Sequence, residues 1–247
     1  MRGFVVHQVE RGERVRWNGV RQAVLARETV SRIVFGLLAP VGWFPAPLPN
    51  EGTGIPVLLV PDPTIGRASL SLLHVYLRQR GMMVWPYRFT RGDESLAERA
   101  GQLSEAVDRL AKHAGTKQVD IVGFGLGGLV AAYHVVRLDD AHRVRRLVTL
   151  GTPWRGTRMA VFVPGALAMD AHVDSHAIDG LDQVKIPTLA VWCPEDPEVV
   201  PAESARVDEE RSVAVDGAGH RGLLVSARAF HAVRAGLTDT APTEPAA

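Results

Sequence analysis

Cysteine is almost absent from this chain: Cys193 is the single one in 247 residues. That excludes an intrachain disulfide, so folding needs no oxidising compartment, and the bland expectation for Cys193 is a small buried apolar residue. A strong charge of either sign is also lacking. The formal net charge is +1, and no basic stripe is interleaved with aromatics, which make up only 6% of the chain. Nucleic acid is therefore not an expected partner. No apolar run is long enough to span a bilayer. Residues 33–48 come nearest, but they fall short of the roughly 20 residues needed and are broken by Pro40, Pro45 and Pro47. The first residues lack a signal peptide's apolar core and small-residue cleavage site, so a cytoplasmic location is expected. There is no internal repeat.

What is present suits a globular α/β protein. Apolar residues make up 46% and charged residues 22%, enough for one domain with a sizeable core. Residues 1–28 are Arg-rich, and with residues 33–48 they suggest an N-terminal extension over residues 1–53, packed on the body. Trp43 and Phe44, downstream of those arginines, make peripheral contact of residues 33–48 with an anionic membrane surface the alternative. From residue 55 the pattern alternates. Apolar β-type runs at 55–60, 82–87, 118–122, 144–150, 186–193 and 212–215 are separated by helical periodicity at 68–80, 95–113 and 126–138. A closing helix includes residues 230–237 and starts near Gly222. Such alternation predicts βαβ units and a mostly parallel sheet flanked by helices, with ligands beyond the carboxyl ends of the strands. Residues 152–183 are irregular and read as a small cap, and residues 238–247 as a disordered tail.

The densest motif is Val119-Asp120-Ile121-Val122-Gly123-Phe124-Gly125-Leu126-Gly127-Gly128. A β run enters a glycine-punctuated turn and continues as a helix. This is the layout of G-x-S-x-G, where a sharp turn lifts a serine hydroxyl above the sheet. Gly123, Gly125 and Gly127 hold its fixed positions, and the middle one carries no side chain.

Three further segments follow in order: LVTLGTPWRGT at 147–157, EDPEVVPAESA at 195–205 and GAGHRGLL at 217–224. Over residues 54–237 this ordered set resembles the bacterial lipases and esterases of the α/β-hydrolase fold. The resemblance implies Gly125 at the nucleophile position, His220 as the triad base and Asp196 as its acid, with Glu195 and Glu198 as alternatives for the acid. It also implies an oxyanion hole formed by the Leu126 N–H and a donor from the turn after the first strand. That turn is Pro61-Asp62-Pro63. At the donor position Pro63 would have no N–H to give. If the register shifts, the Asp62 carboxylate would face a developing negative charge. Phe124 and Trp154 are expected to line the pocket, and Gly151-Thr152-Pro153 to form a strand-end turn. His172 and His176, four residues apart, read as a solvated segment rather than a metal site. No cofactor is expected.

The expected function is a lipase/esterase-like scaffold that has lost its nucleophile and binds an apolar or acyl small molecule, or a protein partner. One alternative is an ester hydrolase using water activated by His220 and Asp196, or using Asp62 in place of serine. Another is a peripheral membrane adaptor.

Overall fold

In the computed structural model, which describes residues 54–139 and 142–238 together with Ala26 and Thr29, the alternation becomes one sheet with helices on both faces. Six parallel strands run in the order β2-β1-β3-β4-β5-β6. They are β1 (Val57–Val60), β2 (Val84–Pro86), β3 (Val119–Phe124), β4 (Val144–Leu150), β5 (Thr188–Trp192) and β6 (Ser212–Ala214). The helices are α1 (Ser71–Arg78), α2 (Leu96–His113), α3 (Leu126–Arg137), α4 (Ala166–Asp170) and α5 (Ala227–Thr238). The N-terminal extension and the tail beyond Thr238 lie outside the described residues.

Side chains alternate across a strand, so one short run feeds two cores. Leu58 and Val60 pack with Leu103 of α2 and Leu129 of α3. Val57 and Leu59 point the other way, to Leu73 and Leu77 of α1 and Phe230 and Val233 of α5. Helix α2 starts where the sequence carries a capping box: the Ser95 hydroxyl accepts from Glu98 N, and the Glu98 carboxylate accepts from Ser95 N. That reciprocal cap satisfies two otherwise orphaned donors. Helix α3 begins hard against the end of β1. A Cβ on Gly127 would collide with the Pro61 carbonyl, so a glycine is needed for this close approach.

One polar group in this core is badly placed. His134 on α3 is buried, and neither of its ring nitrogens has a protein partner. Burial lowers its pKa, more than Asp139 and Asp108 raise it. Replacing an unpaired buried ring by an apolar side chain of similar size removes a desolvation penalty. His134→Leu is expected to raise stability by about 1–2 kcal/mol, and thermal denaturation checks it as a rise in Tm of roughly 2–8 °C.

The cap takes its shape from tertiary anchors. A short 3-10 turn (Arg158–Phe162) and α4 cover the carboxyl edge of the sheet. Leu96 N donates to Asp170 Oδ2 at 2.8 Å, and Ala166 N donates to Asp93 Oδ1 at 2.7 Å. Both tie the cap to the loop leading into α2. Val161, Phe162 and Met169 remain exposed on its outer surface. His172 and His176 each face an aspartate of their own, Asp174 at 3.6 Å and Asp179 at 3.1 Å.

Candidate active site

The turn from β3 into α3 is held from both sides. Gly125 N donates to Leu150 O at 3.0 Å, and Thr152 Oγ1 donates to Gly125 O at 3.1 Å. Thr152 of the Gly-Thr-Pro strand end thus braces the turn. Gly125 itself has φ 55° and ψ −128°, a left-handed backbone that glycine adopts without steric cost.

Asp62 fills the space above this turn. A Cβ on Gly125 would lie 2.5 Å from Asp62 Oδ2. The same oxygen accepts a hydrogen bond from Leu126 N at 2.9 Å. Asp62 Oδ1 accepts from Thr64 N at 2.8 Å and from Thr64 Oγ1 at 2.6 Å. The carboxylate is 5% exposed and held by three donors. The two register options for the Pro61-Asp62-Pro63 turn are thereby separated: it is Asp62 that reaches Leu126, while Pro63 lines a neighbouring cavity.

His220 and Asp196 come together across the sheet edge. His220 Nδ1 lies 2.7 Å from Asp196 Oδ2, and both side chains are buried. Asp196 Oδ1 accepts from Glu198 N and Val199 N, which fixes the carboxyl plane. Glu195 faces elsewhere, accepting from Gly217 N at 2.8 Å and from the Cys193 thiol at 3.2 Å. Glu198, the other alternative for the acid, takes a different place. Its Oε2 lies 3.8 Å from His220 Nε2, on the ring nitrogen away from Asp196, and its Oε1 accepts from Arg221 Nε at 3.1 Å. Burial pulls the His220 pKa down, but the carboxylates of Asp196, Glu198 and Asp62 together outweigh it and hold the ring at about 9.

Asp62, Gly125, Leu126, Glu198 and His220 open onto one small cavity of about 70 Å³, closed on the cap side by Met159, Ala160, Val163 and Ala168. Phe124 and Trp154 do not line it, contrary to the sequence expectation. Both are fully buried. Phe124 ends β3 and stacks at 4.8 Å on the His220 ring. Trp154 Nε1 donates to Thr149 Oγ1 at 3.3 Å, pointing back into the sheet. Cys193 is buried as expected, and burial pushes its thiol up to about 12.

No known-family model matches the chain. Solved structures do. A lipase from Bacillus licheniformis in its mature form superposes with a TM-score of 0.59 at 13% identity, over 73% of this chain and 90% of that one. A thermophilic esterase from Thermogutta terrifontis gives 0.59 at 19% identity, over 78% and 92%. Lipase B from Aspergillus fumigatus gives 0.61 at 15% identity, over 73% of this chain and 52% of that one. The parallel sheet, its order and these likenesses define an α/β-hydrolase fold. Among the described residues no helix is long and apolar enough to cross a membrane.

Proposed function

We propose that this chain is a lipase/esterase-like α/β-hydrolase homologue in which serine-type ester turnover has been lost and the site is kept as a small binding pocket. One observation carries the reading: Asp62 Oδ2 occupies the space that a side chain at residue 125 would need and takes the Leu126 N–H. In ester hydrolysis that N–H serves the oxyanion of the tetrahedral intermediate, and losing one such donor costs about 10²–10³ in turnover. Here the donor is already engaged by a carboxylate, which also repels a second negative charge.

The ligand class follows from the lining. A cavity of about 70 Å³ is far below the roughly 300–1,000 Å³ of a pocket for a drug-sized molecule. It suits a short apolar group ending in a hydrogen-bond donor, which Asp62 and Glu198 would accept.

The intact His220–Asp196 pair favours a second reading, in which His220 activates water or Asp62 acts as nucleophile. With its pKa held at about 9, His220 is largely protonated at neutral pH and a poor base there. The water-activating form of this reading therefore requires turnover that rises with pH through about 9.

Hydrolysis of a chain-length series of nitrophenyl esters by the purified protein tests both. Wild type, His220→Ala and Asp62→Asn are expected to be indistinguishable from one another at pH 7 and at pH 10. Wild-type turnover that either substitution abolishes would overturn the proposal in favour of the working hydrolase.

A further inference from the structure

Beside the candidate active site, across the wall formed by Pro61 and Pro63, lies a second cavity of about 390 Å³. It sits between the loops that follow β1 and β2, on the carboxyl edge of the sheet where open α/β folds take their ligands. Arg67, Arg88, Arg91 and Arg99 all line it, and none of its described lining residues is acidic. These four arginines come from three separate segments, so the fold itself concentrates the charge.

Concentrating arginines costs energy. Burial and the nearby Arg88 charge both hold the Arg67 guanidinium below its usual pKa. Arg99 is 7% exposed. Its Nη2 donates to Gly92 O at 2.8 Å and pairs with Glu94 at 2.9 Å, while Nε donates to Glu94 O at 3.2 Å. Its remaining nitrogen, Nη1, is buried with no hydrogen-bond partner. A buried guanidinium donor left unmatched marks a place where an acceptor is missing. The lining also includes apolar groups: Pro61, Pro63, Ile65 and the ring of Phe89, which lies 5.3 Å from the Arg99 guanidinium.

We propose that this cavity binds a phosphorylated organic ligand, its phosphoryl oxygens on the arginines and its carbon part against the proline, isoleucine and phenylalanine wall. Arginine suits this role because its planar fork meets phosphate oxygens two at a time and it is weakly hydrated. A volume of about 390 Å³ lies in the range for an organic ligand. The phosphoryl group can come from a soluble nucleotide or from a lipid headgroup, since the chemistry is shared.

The test uses the full chain, with pyrophosphate and ADP as soluble probes and phosphatidylcholine vesicles with and without phosphatidic acid as the lipid probe. Pyrophosphate at roughly a hundredfold excess over its Kd is expected to raise Tm by roughly 5–10 °C. Arg88 and Arg91 are exposed, so Arg88→Ala/Arg91→Ala should fold normally. The pair is expected to weaken binding by about tenfold or more, with Arg88→Lys/Arg91→Lys intermediate. ADP binding without vesicle binding assigns a soluble ligand. Sedimentation with phosphatidic acid vesicles alone, lost in the double alanine variant, assigns a lipid headgroup. If neither pyrophosphate, ADP nor the acidic vesicles bind saturably, or if every response survives in the double alanine variant or is matched by sodium chloride at equal ionic strength, the proposal is overturned.

Discussion

Gly125→Ser is expected to give no ester turnover and to destabilise the protein by about 2–4 kcal/mol. The new Cβ would meet Asp62 Oδ2 at 2.5 Å and the Asp62 Cγ at 3.3 Å, at a backbone φ of 55° that side chains rarely adopt. Asp62 must then leave Leu126 N, and its hold on Thr64 resists the move. The serine hydroxyl would arrive beside a protonated histidine that cannot take its proton and a displaced carboxylate close enough to repel a developing oxyanion. Asp62→Gly combined with Gly125→Ser removes the clash, frees Leu126 N and takes away one of the charges that raise His220. The double variant should recover at least half of the lost stability. It should also show weak ester turnover that disappears when His220→Ala is added. Pro63 still offers no N–H, so turnover should stay about 10²–10³ below that of a site with two oxyanion donors. Urea denaturation and nitrophenyl acetate hydrolysis on the four members of the cycle read both quantities. Turnover from Gly125→Ser alone would show that Asp62 does not block the site.

The parts of this molecule that could be read from its residues are those whose signal is local. Val57–Val60 is buried on both faces and appears as an unbroken apolar run, and Val119–Phe124 as an apolar run interrupted by Asp120 and Gly123. Helix α2 carries both its periodicity and its capping box in sequence. The His220–Asp196 contact was legible through the order of motifs, and Asp62 was legible as a hazard to the oxyanion hole, though not as a plug over Gly125. What sequence could not reveal depends on distance along the chain. The cap is pinned by Asp93 and Asp170, more than seventy residues from their partners Ala166 and Leu96. The arginine cavity gathers residues 67, 88, 91 and 99 with no shared spacing. Phe124 and Trp154 adjoin site motifs in sequence yet lie in the core. Phe124, at the end of β3, alternates away from Gly125 into the core, and Trp154, in the turn after β4, folds back to Thr149.

Stability should fall as pH rises from about 6.5 to 9, and His220 should account for the fall. The unfolded ring titrates near its ordinary value of about 6.5. In the folded protein burial opposes protonation, but Asp196, Glu198 and Asp62 together favour it more strongly, and the pKa stands at about 9. A raised folded pKa means that the native state binds the proton more tightly. The resulting stabilisation is complete below pH 6.5 and is lost as pH climbs through 9. Its size is on the order of 3 kcal/mol. Cys193 and Tyr87, each lifted by burial to about 12, add to the decline only above the values at which they titrate when unfolded, about 8.5 and about 10, so the fall between pH 6.5 and 8.5 belongs to His220. Arg221 is the cation that pairs with Glu198 near the ring. Urea unfolding between pH 6 and pH 10 should therefore show a declining free energy for wild type and a flatter curve for His220→Gln. Asp62→Asn should shift the wild-type decline to lower pH, since it removes one of the three carboxylates. Parallel curves for wild type and His220→Gln would contradict the assignment. The same proton links stability to silence: the carboxylates that make His220 a cation, and so bind the edge of the sheet together, also deprive it at neutral pH of the lone pair a general base needs.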